Sequence, residues 1–273
     1  MSFRAAVIQL NSTSREEANL DEAEVMIRQA ASDGATFIAT PENTNFLGLP
    51  DEKVRRAQPL DGSVCQRFSR LARELRVHLL LGSFNERNDD RRCFNTSALF
   101  GPDGALLSVY RKIHLFDVDI SPEVSFAESH TIEAGNEVVI APTELVTVGM
   151  TICFDLRFSW IYGELRARGA ELITVPSAFT HTTGKDHWHA LLRARAIETQ
   201  SFVLAPAQVG QHDDEGLRES YGHALIVDPW GLVLADAGDT PGVALAEIDL
   251  DRVREVRQAL PMRAHRDRRP GDD

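Results

Sequence analysis

The chain has 273 residues, 43% hydrophobic and 26% charged, which fits a protein with a packed core and excludes collagen-like and disordered classes. Its 29 Lys and Arg against 41 Asp and Glu leave a formal charge of −12, so a nucleic-acid backbone is not an expected partner. The length allows two small domains or one large α/β domain.

In chain order, apolar β-type runs alternate with amphipathic stretches, as when helices cover a sheet. The run Ala5 to Leu10 is too short for a secretory signal core, and no segment approaches the ~20 apolar residues of a membrane span. Asn11-Ser12-Thr13 and Asn95-Thr96-Ser97 match the glycosylation sequon by chance. A helix is predicted from Arg15 to Ser32, capped by Ser14. Strands follow from Phe37 and His78, with a helix from Val64 to Arg76 between them, then strands from Asn95 and Leu106 joined by the turn Gly101 to Gly104. The second half gives strands from Leu145, Glu171, Phe202, His223 and Val243, with helices over Trp160 to Arg168 and His187 to Gln200. Consecutive strands without an intervening helix point to a mixed sheet. The stretch 263–273 is too polar for a core and reads as an exposed or partner-contacting tail.

Three residues stand where such runs end, which is where open α/β sheets place ligands. Cys153 closes GMTIC just before Asp-Leu-Arg, a position suited to a nucleophile, although a cysteine in an apolar run also reads as a small buried hydrophobe. Glu42 follows FIATP directly, as a general base would. In VYRKIHL, alternation sets Val109, Arg111 and Ile113 against Tyr110, Lys112 and His114, so one of the cations points inward and needs a charge or ligand to meet it. Singly, each fits an ordinary salt bridge or core position. Cys65, Cys93 and Cys153 form no zinc-type spacing and read as reduced thiols of a cytoplasmic protein.

In combination, PENTNF around Glu42, YRKIHLFD around Lys112 and GMTICFDLRF around Cys153 resemble, in this order, the motifs of the nitrilase or carbon–nitrogen hydrolase superfamily. The resemblance runs from Ala5 to about Arg263 and implies a single hydrolase domain over 1–262. It also implies an α/β fold, a four-layer α-β-β-α sandwich with mixed sheets, that dimerises through a helical face. The implied activity is thiol-dependent amide hydrolysis with Glu42 as base, Cys153 as nucleophile and Lys112 with the Phe154 N–H on the oxyanion. Glu128, in FAES, matches a second glutamate that positions Lys112. Phe154, Trp160, Phe179 and Thr180 are the implied substrate contacts, and neither metal nor organic cofactor is required. LLRARAIETQ, AQVGQH and SYGHALIVDPWG resemble the Nit-type amidases, which implies small carboxylate-bearing amides, 2-oxo acid amides among them, as substrates.

N-carbamoyl amino acid hydrolysis and general aliphatic amidase activity use the same tetrad and are the alternatives. An idle binding protein is the alternative of another class. Two departures bear on specificity: Ser159-Trp160 stands where the family commonly has Pro-Glu, and His189 where a carboxylate is usual. His187 and His189 diverge on a helix, so no metal site is expected of them, and Trp188 reads as core. Arg193, Arg195 and Glu198 read as a charge network on a helix surface.

Overall fold

Strand Ser2–Leu10 sets the layering of the molecule. Phe3, Ala5 and Val7 enter one core while Ala6, Ile8 and Leu10 enter another, because successive side chains of a strand point to opposite faces. Leu80 and Leu99 join the first core, and their neighbours Leu79, Leu81, Ala98 and Phe100 join the second. A sheet buried on both sides explains why these strands read as continuous apolar runs. In this computed structural model, residues 1–121, 124–212 and 218–262 are described. The polar tail expected over 263–273 lies outside them.

Helices Glu16–Ser32 and Ser63–Leu75 cover the outer face of this first sheet with Leu20, Ala23, Ile27, Val64, Phe68 and Leu71. Its inner face meets a second sheet, ordered Val233–Asp236, Leu225–Val227, Phe202–Ala205, Leu172–Thr174, Thr147–Met150 and Ile140–Pro142. Helices Ser159–Ala167 and His181–Thr199 pack Ile161, Tyr162, Leu165, Trp188 and Leu192 against that sheet. The result is the four-layer α-β-β-α sandwich, and both sheets are mixed. Ala5 pairs in parallel with Phe37 and Ser2 antiparallel with Asp249 in the first, while Val148 pairs in parallel with Leu172 and antiparallel with Ala141 in the second.

Several elements differ from their sequence reading. The run from Phe202 is two strands, Phe202–Ala205 in the second sheet and Ala207–Gln211 in the first, because Pro206 supplies no N–H to continue either ladder. The first helix has Arg15 at its N-cap position, one residue after the Ser14 expected there. The helix expected from His187 begins at His181 and runs through Gly184, where a Cβ would lie 2.4 Å from the Tyr221 side chain. Short helix Pro50–Arg55, hairpin Asp117–Ser121 with Val124–Ala127, and helix Leu250–Ala259 carried no periodicity long enough to find. Among the described residues no helix is long and apolar enough to cross a membrane.

Candidate active site

The loop after strand Phe37–Ala39 delivers Glu42 to the seam between the sheets. It lies directly on strand His78–Arg87 at Gly82, where a Cβ would come within 1.8 Å of the Thr40 carbonyl oxygen, so only glycine permits this approach. Gly82 N–H donates to Thr40 Oγ1 at 3.0 Å, and Ser83 fixes the far side through its Oγ, which accepts from Asn43 N–H at 2.8 Å. Glu42 Oε2 accepts the Ala178 N–H at 2.8 Å, and its backbone carbonyl accepts from Gln208 Nε2 at 2.9 Å. The carboxylate is thus aimed by both sheets.

Strand Leu106–Arg111 ends one residue before Lys112. The parity argument resolves in favour of Lys112, which is 2% exposed, while Arg111 turns outward to pair with Glu86 at 2.6 Å. Lys112 Nζ lies 2.9 Å from Glu42 Oε1 and 2.9 Å from Glu128 Oε2. Burial opposes its charge, but the Glu128 and Glu42 carboxylates outweigh burial and raise the ammonium pKa well above the ordinary lysine value. Burial likewise disfavours the Glu128 carboxylate, yet Lys112 and Lys53 draw its pKa down to about 2. The Phe116 N–H also donates to Glu128 Oε2, at 2.7 Å. Asn95 donates to both carboxylates, at 2.8 Å to Glu42 Oε1 and 3.2 Å to Glu128 Oε1. Sequence reasoning saw only a chance sequon at Asn95. Its signal was a buried polar stretch, Asn95-Thr96-Ser97, inside an apolar strand.

Cys153 opens a short 3-10 turn, Cys153–Arg157, with φ +45°, a left-handed conformation unfavourable for a residue with a Cβ. Its N–H donates to the Pro176 carbonyl at 2.9 Å. The fully buried Asp155 secures the turn, accepting Ile152 N–H at 2.9 Å and the Tyr110 hydroxyl at 2.6 Å through Oδ2. Its Oδ1 accepts His114 N–H at 3.0 Å and meets His114 Nδ1 at 2.7 Å. Because His114 Nε2 accepts the Trp160 indole N–H at 3.1 Å, the proton sits on Nδ1. Burial first, then the Glu42 carboxylate, pushes the Cys153 thiol well above its ordinary pKa, with Lys112 acting in the opposite direction. The resting sulfur is therefore a protonated thiol, and attack requires a base.

Glu42, Lys112, Glu128 and Cys153 line one cleft with Phe154, Phe179 and Thr180. Trp160 does not line it. The helix Ser159–Ala167 buries Ile161, Tyr162 and Leu165, which leaves Trp160 facing outward and 52% exposed, bound to His114 instead. Arg195 keeps the expected pair with Glu198, at 2.9 Å, but is buried and not on the helix surface, and it donates to the Leu156 carbonyl at 2.9 Å, bracing the turn that carries Cys153 from behind. His187 and His189 do diverge. His187 Nδ1 lies 3.3 Å from Arg157, whereas His189 pairs with Asp236, so the acid opposite this histidine comes from another strand. Trp188 is core and donates to the His223 carbonyl at 2.8 Å. Cys65 and Cys93 are buried free thiols, pushed up to about 12 and about 11 by desolvation.

A two-sheet sandwich with a buried Glu–Lys–Glu cluster beside a strand-end cysteine is an arrangement suited to hydrolysis, and similarity to known proteins gives the family. A deaminated glutathione amidase of Synechocystis is 41% identical over 97% of this chain and 98% of its own, and that of Homo sapiens is 39% identical over 96% and 81%. A human omega-amidase is 38% identical over 96% and 94%. The Caenorhabditis elegans NitFhit crystal structure superposes with a TM-score of 0.91 at 37% identity, covering 97% of this chain and 65% of that one. A Saccharomyces cerevisiae member of branch 10 of the nitrilase superfamily superposes at 0.87 with 30% identity over 98% and 97%. Residues 4–258 match the carbon–nitrogen hydrolase family, and the chain belongs to it. It is an amidase.

Proposed function

We propose that the protein hydrolyses small carboxylate-bearing amides, 2-oxo acid amides such as deaminated glutathione, through a cysteine thioester. The observation that carries this reading is Lys112 Nζ held 2.9 Å from both Glu42 and Glu128 in the cleft that contains Cys153. Glu42 takes the thiol proton as sulfur attacks the amide carbon, and Lys112 with the Phe154 N–H stabilises the oxyanion. Glu42 returns that proton to the departing nitrogen, and the C–N bond breaks to leave a thioester. Water then attacks, giving a proton to Glu42, and sulfur leaves and recovers it as the carboxylic acid departs. Glu128 and Asn95 hold Lys112 and Glu42 in register throughout.

The substrate class is supported by the names of the relatives and by the cations Arg157 and Lys53 in the cleft wall. Residues 1–262 act as one hydrolase unit in the cytoplasm, paired as a homodimer through the helical face on which Trp160 and Ile197 are exposed. Amine release from deaminated glutathione, 2-oxoglutaramate, an aliphatic amide and an N-carbamoyl amino acid, by wild type and Cys153→Ala, tests the reading. Turnover of 2-oxo acid amides, lost in the variant, is expected. Retained turnover in Cys153→Ala would refute the nucleophile.

A further inference from the structure

Outside the cleft, two imidazoles converge on one carboxylate. Asp236 ends strand Val233–Asp236 and lies 3.0 Å from Nδ1 of His223 and 3.3 Å from Nε2 of His189, which projects from helix His181–Thr199. The facing atoms of the three side chains all lie within 4.8 Å of one another. One imidazole suffices to pair an aspartate. Two of them, brought from separate elements to the same carboxylate, make up the donor set of a divalent transition ion: two imidazole nitrogens and one carboxylate oxygen. None of the three lines the cleft.

Each donor is held by groups outside the trio. The Gly238 N–H donates to Asp236 Oδ1 at 2.8 Å, and the Tyr221 ring stacks on His223 at 4.6 Å and meets His189 at 6.1 Å. The backbone of His223 is fixed as well: its N–H donates to the Gly238 carbonyl at 2.7 Å, and its carbonyl accepts the Trp188 indole N–H at 2.8 Å. Its φ of +55° is left-handed, which is unfavourable for a residue with a Cβ. The other non-glycine residues described with such a backbone have evident reasons for it. Arg76 and Gln200 end helices, Asn43 follows Glu42, and Cys153 carries the thiol. His223 ends no helix and takes no part in the reaction, and strain of this kind is retained where a side chain has to be aimed.

We propose that His189, His223 and Asp236 form a zinc site, with Nε2 of His189, Nδ1 of His223 and a carboxylate oxygen of Asp236 as ligands. Zinc with bonds of about 2.0–2.2 Å sets tetrahedral ligand atoms roughly 3.4 Å apart. Asp236 already stands near that spacing from both rings, so only the gap between the two nitrogens has to narrow. The side chains of His189, His223 and Asp236 are 36%, 26% and 34% exposed, which leaves one side open for water to complete the coordination. The ion ties helix His181–Thr199 to the edge strand of the second sheet and to the segment after Tyr221. Thr180 and Thr183 at the start of that helix, and Ser220 beside Tyr221, line the cleft, so the ion braces one wall of the active site from outside. This holds whichever amide is cleaved.

The test is zinc chloride titrated calorimetrically into untagged protein that has been freed of metal with a chelator. One ion per chain is expected, with a dissociation constant of about 10 μM or tighter. His223→Ala and Asp236→Asn should each weaken binding at least about tenfold, whereas His187→Ala, whose ring turns to Arg157 instead, should not change it. Should His223→Ala fail to fold, His189→Ala is read in the same way, with the same loss expected. Zinc should also raise the urea midpoint of wild type and leave that of Asp236→Asn where it is. Absence of saturable binding at about 10 μM or tighter, or binding that the His189, His223 and Asp236 variants leave intact, overturns the site. Cys153→Ala, run alongside, removes the competing thiol ligand: binding retained there upholds the site, and binding lost there places the ion at Cys153 and overturns it.

Discussion

The Tyr110 hydroxyl donates to Oδ2 of Asp155 at 2.6 Å and so joins the strand leading to Lys112 to the turn that presents Cys153. Burial, then the Asp155 charge, raises the Tyr110 pKa well above its ordinary value, so the phenol is a permanent donor. Tyr110→Phe removes this tie and leaves a buried carboxylate oxygen one donor short. A loss of about 1–3 kcal/mol in urea unfolding is expected. On the proposed mechanism the tie aligns Cys153 with Lys112, so kcat should fall more than KM rises in steady-state assays of the same variant.

The left-handed Cys153 is held there by the turn and not by local preference. Cys153→Ala and Cys153→Gly should both lose turnover, by at least about 10³-fold. Only the glycine adopts φ +45° without strain. Cys153→Gly should therefore be more stable than Cys153→Ala, on the order of 1 kcal/mol by denaturant midpoint. Equal stability would mean that the turn imposes no strain.

Asn95→Ala unties the two carboxylates from each other while leaving each on Lys112. Hydrogen bonds to charged groups contribute about 1.5–3 kcal/mol, which corresponds to roughly 10- to 100-fold in rate if most of it is expressed in the transition state. The expected result is a fall of that size in kcat with modest change in KM, measured on the best substrate. Asn95→Asp should be worse than alanine, since it brings a third carboxylate to one lysine.

Lys53 should cost stability as the free protein. Burial first, then repulsion by Arg218, lowers its pKa from 10.5 to about 8, although Glu128, Glu42 and Cys93 act in the opposite direction. The unfolded chain therefore binds this proton more tightly than the folded one, and the penalty is full below about pH 8. It fades as pH rises from about 8 to 10.5, across which the wild type gains stability from this group. Lys53→Met should gain on the order of 3 kcal/mol at neutral pH, before any loss of packing, and should lose this alkaline rise. Urea titrations at pH 7 and pH 10 of both proteins read the difference.

Glu42, Lys112 and Cys153 were legible because each interrupts or ends an apolar run, and polar residues there need a reason. The order of the motifs carried the four-layer fold. Lys53 was not legible, since PDEKVR is indistinguishable from a solvated charged turn until the helix is seen to press its lysine into the cleft. Arg195 failed for a related reason: in a helix with charges at 193, 195 and 198, the buried face depends on what packs against it, here the Leu156 carbonyl and the Tyr162 ring. Trp160 is the converse, expected among the substrate contacts because it departs from the family pattern next to the Cys153 motif, but directed outward by its helix phase. Pro206 gave a signal, yet a proline inside an apolar run does not say that the chain changes sheets.

That change of sheets at Pro206 has a consequence for biosynthesis. Lys112 and its two carboxylate partners, Glu42 and Glu128, precede residue 130 in the chain, but the sheet that aims them is completed by Ala207–Gln211 and by Gly242–Asp249, which pairs with Ser2–Leu10 from Ser2 to Gln9. A growing chain on the ribosome thus carries every reactive group long before it has the strands that align them. Until nearly the last strand emerges, Glu42, Lys112 and Cys153 are not held in the arrangement of the finished fold.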